Sequence, residues 1–379
     1  MKKVFVVADA IFSPLGSGTE ENMLALRNGR TGVKQHKNFL SSSADVCAAL
    51  FSEQDLAKCI QGNNLSLFEK IIITSINECL EKSFVNITDA RTILIISSTK
   101  GNISMLEQNP VPANLQREIA LTSSAKKIAQ WYGNPNEPIV VSNACISGLA
   151  ALLVAKRLIQ LGKYDHAIVS GADLISRFVQ SGFESFQAIS DVVCKPFDKN
   201  RNGINLGEAA ATMILSKNSN PNYTEIILAG GSISNDANHI SGPSRTGEEL
   251  AMAIQKSFDE AELEAAEIGY VSAHGTATIY NDEMEAKAFG LAGLTGVPVN
   301  SLKGFYGHTL GAAGLLESVI AINSMKENKI FATYGFENPG VSLALNVSAK
   351  SLDKEWDHTL KTASGFGGCN AALVFSKNS

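Results

Sequence analysis

The sequence predicts an α/β fold assembled from two similar passes of alternating strands and helices. Three observations carry this. Short β-branched runs such as 91–98, 166–173 and 268–275 each end in a turn and lead into segments of helical periodicity. A polar, turn-rich stretch, Ser216-Lys217-Asn218-Ser219-Asn220-Pro221-Asn222, interrupts this alternation. Beyond it the order of elements restarts, the signature of an internal duplication. Strands alternating with helices argue for mostly parallel or mixed sheets covered by helices. The expected halves are therefore 1–220 and 221–379.

Composition narrows the class. The 379 residues are 45% hydrophobic, with 31 Gly and 10 Pro, enough apolar material for a sizeable core. The net charge of -5, with no long basic run, argues against a nucleic-acid partner. The six cysteines (Cys47, Cys59, Cys79, Cys145, Cys194 and Cys369) are scattered and form no C-x-x-C pair. That argues against a zinc site and for free thiols in a reducing compartment. Met1-Lys2-Lys3 before Val4–Ala8 looks like the start of a signal peptide, but Asp9 interrupts the apolar run and Pro14, Gly16 and Gly18 follow. A first strand is the better reading. No apolar run approaches the roughly 18 residues of a membrane span, so a soluble cytoplasmic protein is expected.

The elements follow in order. Val4–Phe12 reads as a strand and 13–18 as a turn, with Thr19 as N-cap candidate for a helix over 20–26. Residues 30–65 carry no clear period. A helix is expected over 67–82, a buried strand over 91–98, a loop over 108–113 with Pro110 and Pro112, and a helix over 115–132. Residues 138–141 read as a buried strand running into a helix that extends to Leu161, with Cys145 at the junction. Strands at 166–173 and 209–215 close the first half. The second half reads as a strand at 225–231, a helix at 250–263, a strand at 268–275, a helix at 282–291 and a strand at 297–301. A helix at 312–325 and two β segments, 361–365 and 369–375, complete it.

Four stretches carry candidate chemistry. Cys145 sits near the first turn of a helix, where unpaired N–H groups and the positive dipole end favour a thiolate; a nucleophile and a buried core thiol are both consistent with that position. His274, at the end of a strand and followed by Gly275-Thr276-Ala277-Thr278, suits an active-site loop or a structural histidine. The stretch 300–314 holds four glycines within eleven residues, together with His308. Lys303 is its only charge, with Glu317 as nearest partner in sequence, unless the lysine snorkels to the surface. Finally, Gly365-Phe366-Gly367-Gly368 forms a flexible loop around an aromatic ring. One thiol with two histidines suggests acyl chemistry, the imidazoles stabilising charge on a thioester carbonyl. No metal is expected, since His274 and His308 lack a third ligand at close spacing, and no phosphate-binding G-x-x-x-x-G-K-[ST] loop is present.

Taken in order, these motifs resemble the elongating β-ketoacyl-(acyl-carrier-protein) synthases, condensing enzymes of the thiolase superfamily. The resemblance rests on Asn143-Ala144-Cys145-Ile146-Ser147-Gly148 and on Pro196-Phe197-Asp198-Lys199-Asn200-Arg201-Asn202-Gly203. It extends to His274-Gly275-Thr276-Ala277-Thr278 with Asn281, Asp282 and Glu285, to Lys303 with Gly307-His308, and to 365–368. It implies a five-layer αβαβα thiolase-like fold and a dimer, either a homodimer or a heterodimer with a chain-length-factor-like chain. It implies acylation of Cys145 from acyl-carrier protein, with the N–H groups of Cys145 and Phe366 as oxyanion hole. His274 and His308 would bind a malonyl thioester and assist its decarboxylation, and Lys303 with Glu317 would organise the site. Thr276 and Thr278, with Gly365 and Gly367, would meet the substrate and its phosphopantetheine arm, and Phe366 would gate the acyl pocket. No bound cofactor is implied, because the substrate carries its own phosphopantetheine.

This sequence departs from the family at Ser364, where an aromatic residue is usual, and at Ala277, where glycine or a small polar residue is usual. Residues 101–132, which should border the acyl pocket and dimer interface, do not resemble the family, and Asp236-Ala237-Asn238-His239 matches a second gating loop only in part. Rival readings are a non-catalytic chain-length-factor-like partner, a Cys-His hydrolase, a degradative thiolase and a starter-forming synthase. The first would lack the cysteine. The second leaves Lys303 and one histidine without a role, the third needs a second cysteine as base, and the last would carry Asn in place of His308.

Overall fold

The computed structural model describes residues 2–37, 45–108, 114–237 and 242–378. Ten strands build its frame: β1 (Phe5–Ser13), β2 (Thr92–Ser97), β3 (Ile139–Val141), β4 (His166–Asp173), β5 (Ala209–Ser216), β6 (Ile226–Asn235), β7 (Tyr270–Ser272), β8 (Val299–Asn300), β9 (His358–Gly365) and β10 (Cys369–Lys377). Their order across one mixed sheet is β8-β7-β9-β10-β6-β1-β5-β4-β2-β3, with Gly16–Ser17 pairing on β1 off that path.

The order shows the repeat that the sequence suggested. From the centre outward, each half runs first strand, last strand, then the fourth, second and third. In each half the two inner pairings are antiparallel and the two outer ones parallel. The halves join where β1 meets β6 antiparallel, through Phe5 with Ile227 and Val6 with Ile226.

Three apolar clusters separate the layers. The pleat sends alternate side chains to opposite faces. Ile93 and Ile95 of β2 point into the central cluster, and Leu94 and Ile96 into an outer one beneath α2 (Leu67–Leu80) and α3 (Leu121–Tyr132). On the other sheet, Leu373 and Phe375 face the centre. Ala372 and Val374 face α6 (Glu248–Ala261) and α7 (Ile279–Leu291). The middle layer holds α4 (Ser147–Gln160) and α8 (Ala313–Glu327), with α1 (Thr19–Arg27) at its edge. This is the αβαβα thiolase-like arrangement. Burial on both faces explains why so many strands read as continuous apolar runs.

Other elements differ from expectation for local reasons. Thr19 is not an N-cap: Gly18 holds that position, and the Thr19 hydroxyl donates to Asp9 at 2.7 Å. The helix expected over 115–132 breaks at Ala120, whose extended ψ of 124° separates Leu115–Ile119 from α3. β3 is a half-buried edge strand, not a buried one. A helix the sequence pattern did not reveal, α5 (Arg177–Ser185), begins where Ser176 accepts from the Val179 N–H at 3.3 Å. Residues 109–113 of the proline loop lie outside the described residues. Among the described residues no helix is long and apolar enough to cross a membrane.

The feature that positions the site is the crossing of α4 and α8. A Cβ on Gly148 would lie 2.6 Å from the Leu315 nitrogen, and one on Gly314 would lie 2.8 Å from Leu149 Cγ. Only glycines allow the two helix starts to touch, and the loops before them carry Cys145 and His308. Gly148→Ala is expected to cost about 1–3 kcal/mol by overpacking, read as a lower midpoint of urea unfolding. Gly182→Ala, whose Cβ meets nothing within 4 Å, is expected to leave the midpoint unchanged or higher.

Candidate active site

Cys145 lies on a sharp turn between β3 and α4. Ala144 before it adopts a left-handed φ of 42°, a conformation unusual for a side chain with a Cβ. Ser147 holds the turn closed: its hydroxyl donates to the Ala144 carbonyl at 2.6 Å and accepts from the Asn143 N–H at 2.8 Å. The thiol faces the loop between β9 and β10, and the Phe366 N–H approaches the sulfur. A Cβ on Gly365 would sit 2.9 Å from the Cys145 nitrogen and 2.9 Å from Cys369 Sγ, so glycine is what lets this loop close on Cys145. Gly367, at φ 87°, has nothing within 4 Å of where a Cβ would be.

The histidines arrive from the other half. His308 Nε2 is 3.0 Å from Cys145 Sγ. Its backbone is pinned by its N–H to the Asn205 carbonyl at 2.7 Å and its carbonyl to the Gly207 N–H at 3.0 Å. His274 packs edge-on against it, ring centroids 5.2 Å apart. Ligating atoms of Cys145, His274 and His308 all lie within 4.8 Å of one another. The third close donor that the histidines lack in sequence is therefore Cys145 in space, near enough that the trio could also hold a metal ion.

Buried carboxylates hold the loops. Glu285 accepts from the His274 N–H at 2.8 Å and the Gly275 N–H at 2.6 Å. Asp282 accepts from Thr276 at 2.9 Å and, with its other oxygen, from Phe197 at 2.7 Å. The conspicuous stretch 196–203 is thus a brace for the histidine loop. Burial pushes Asp282 up to about 7. Asp173 joins the loop after β2, through Ser98 at 2.7 Å and Thr99 at 3.0 Å, to the Gly311 N–H at 2.7 Å. Thr276 and Thr278 share a 2.8 Å hydroxyl contact, and Thr278 caps α7, which starts earlier than the sequence reading placed it. Ala277 between them has φ 61°, which explains why glycine suits that position.

Lys303 is fully buried and paired with Glu317, so the snorkelling alternative is excluded. The sequence reading missed a second partner: Lys361, equally buried, sits 2.7 Å from the other Glu317 oxygen. It is the only charged residue from Thr359 to Ser376, the same criterion that singled out Lys303.

The electrostatics favour neutral groups. Burial, then Lys303, holds both imidazoles well below the ordinary histidine value. Burial, then the neighbouring Cys369, pushes the Cys145 thiol up to about 12, against the pull of Lys303 and the Phe366 N–H. The expected helix-assisted thiolate is therefore not the resting state. Helix-end amides contribute up to about 2 kcal/mol, and desolvation of the buried anion outweighs them here. His308 is instead placed to take the proton.

A cavity of about 300 Å³ opens beside these groups, lined by Thr276, Thr278, Ile204, Pro243 and an aromatic wall of Phe183, Phe186 and Phe366. Phe366 stacks at an angle on Phe183 and Phe186, 5.6 and 5.1 Å between centroids. Phe183 and Phe186 come from the unforeseen helix α5 and its end. No described lining residue comes from 101–132, but Ile103 packs in the same apolar cluster as Phe183 of the cavity wall. Asn238 and His239 of the expected second gating loop lie outside the described residues.

Known proteins share this architecture. A chain of "the ishigamide ketosynthase/chain length factor" superposes with a TM-score of 0.90 over 100% of both chains at 23% identity. A Xenorhabdus doucetiae ketosynthase in complex with its chain length factor gives 0.88 over 100% of this chain and 98% of that one, at 24% identity. The fold is therefore that of the thiolase-like condensing enzymes. In sequence, the β-ketoacyl synthase N-terminal domain matches residues 1–220 and the C-terminal domain 226–337. A 3-oxoacyl-[acyl-carrier-protein] synthase 2 from Vibrio cholerae is 30% identical over 99% of both chains. The chain belongs to the β-ketoacyl synthase family, as an elongating enzyme that catalyses carbon–carbon condensation.

Because the resting thiol is neutral, alkylation of Cys145 by iodoacetamide, followed by mass spectrometry, is expected to keep rising with pH beyond pH 9. A plateau near pH 8 would contradict the buried-thiol reading.

Proposed function

We propose that this chain is an acyltransferase that condenses an acyl group held on Cys145 with malonyl-acyl-carrier protein, giving a 3-oxoacyl-carrier protein and carbon dioxide. The observation that carries it is the 3.0 Å approach of His308 to the Cys145 sulfur, with His274 completing the trio. In the first half-reaction Cys145 attacks the incoming thioester. Its proton passes to His308 Nε2 and then to the departing pantetheine sulfur. The Cys145 and Phe366 N–H groups receive the carbonyl oxygen's developing charge, while the apolar chain enters the aromatic-walled cavity.

In the second half-reaction His274, and His308 once its ring proton has moved to Nε2, hold the malonyl thioester oxygen as neutral donors. The bond to the carboxylate breaks, carbon dioxide leaves, and the electron pair remains as an enolate. Its carbon attacks the acyl-Cys145 carbonyl. A carbon–carbon bond forms, the Cys145 thiolate departs, and it regains a proton from solvent. All three side chains act as thiol and imidazoles, and no step calls for a bound cofactor or metal. Thr276 and Thr278, lining the cavity with Gly365, suit the phosphopantetheine arm.

The half-buried edge of β3 supports a partner chain there, either a second copy or a chain-length-factor-like subunit of the kind named with the ishigamide and Xenorhabdus ketosynthases. A purely non-catalytic role is disfavoured by the intact thiol–imidazole contact. The test is intact-mass analysis of acyl-protein formed from a panel of saturated and conjugated acyl-carrier-protein thioesters. Acyl adducts should form on the wild type and vanish in Cys145→Ala; acylation elsewhere would overturn the nucleophile assignment.

Two further variants separate the half-reactions. Cys145→Ala is expected to lose condensation by at least ~10³-fold yet still release carbon dioxide from malonyl-carrier protein, since that step uses the imidazoles. His308→Ala is expected to lose that release; unchanged carbon dioxide would refute its role.

A further inference from the structure

Lys361 takes no part in the steps above, yet it is fully buried on β9. Its ammonium forms an ion pair with Glu317 Oε2 at 2.7 Å, close but off the line of a good hydrogen bond. It donates to the Thr362 carbonyl at 2.8 Å and to the Ser272 and Ala273 carbonyls at 3.1 Å. Lys303 already neutralises the other Glu317 oxygen. One carboxylate therefore meets two ammonium groups, and the cluster keeps a net positive charge in the interior. An apolar side chain would fill this strand position at far lower desolvation cost.

Its contacts point at the site. Ser272 and Ala273 run directly into His274. Thr362 leads toward Gly365 and Phe366, and its hydroxyl reaches Glu285, which holds the His274 N–H. Glu317 stands in α8, behind the His308 loop. One ammonium thus ties the strand end that carries His274 to β9 and to Glu317 of α8.

We propose that Lys361 is a positioning residue for the malonyl half-reaction: it anchors the strand end carrying His274 and leaves the Lys303–Glu317 pair with a net positive charge behind the two imidazoles, which favours the enolate formed on loss of carbon dioxide. The inference rests on the condensation proposed above. The charged and titratable groups around the imidazoles are Cys145, Lys303 and Lys361, with Glu317 and Glu285 as anions. Both lysines act to keep the imidazoles neutral. Acylation of Cys145 develops its charge at the oxyanion hole and depends less on this field.

The test is Lys361→Met, which keeps the chain length and removes the charge. Acylation of Cys145 by an acyl-carrier-protein thioester, read by intact mass, is expected to stay within about threefold, while carbon dioxide release from malonyl-carrier protein falls more than about tenfold. The acid limb of that release should move up by about one pH unit, because loss of a nearby cation eases protonation of the imidazoles. Glu317→Gln, leaving two cations, should move it down. The double variant Lys361→Met/Glu317→Gln restores the net charge and should bring the limb back toward the wild type. If Lys361→Met fails to fold by circular dichroism, Glu317→Gln against the wild type carries the comparison, through the opposite shift of the acid limb. Equal losses in both half-reactions with an unmoved acid limb overturn the proposal, as does undiminished carbon dioxide release. A wild type that releases none overturns the proposed condensation instead.

Discussion

Everything at the site depends on how closely two central helices approach. Gly148 and Gly314 let the starts of α4 and α8 touch, and that contact sets the distance between the turn bearing Cys145 and the loop bearing His308. The helices belong to opposite halves of the repeat. Neither half holds a working set of groups, because the thiol comes from one and both imidazoles from the other. The close-packed middle layer acts as a jig, and close-packed interiors transmit small displacements instead of absorbing them.

Around that contact, buried carboxylates do the positioning. Asp173, Asp282 and Glu285 each gather backbone N–H groups from loops that would otherwise leave them unpaired. A carboxylate that accepts several such bonds can stay in the interior. The three form a frame connecting the β2 loop, the 196–203 stretch and the histidine loop to the helix starts. Asp282 also accepts from the N–H of the left-handed Ala277, while Ser147 closes the strained turn at Ala144, conformations that local preference alone does not sustain.

The charge balance of the interior runs against the usual picture of an activated thiolate. Desolvation favours the uncharged thiol and imidazoles, while behind them two buried lysines share Glu317, and Glu285 holds the His274 N–H. A site that is neutral in front and positive behind suits chemistry in which negative charge appears transiently on a thioester oxygen. The pairing of Glu317 with two lysines also shows how a single acid can anchor segments distant in sequence.

The sequence by itself determined the alternation of strands and helices and the restart after Ser216, because hydrophobic period and turn chemistry are local. It also marked Cys145, His274, Lys303, His308 and the glycine loop, since each is out of place in its surroundings: a thiol at a helix start, histidines at strand ends, a lone charge in an apolar run. Short or irregular elements escaped, as with α5 and the break at Ala120, where no period is long enough to read. Three-dimensional packing is what pushes the Cys145 thiol up, brings Phe183 and Phe186 to the cavity wall, and sets Lys361 beside Glu317. These depend on burial and on contacts such as the one between Cys145 and His308, 163 residues apart in the chain. Desolvation and long-range approach are set by packing, and no local pattern of residues encodes them.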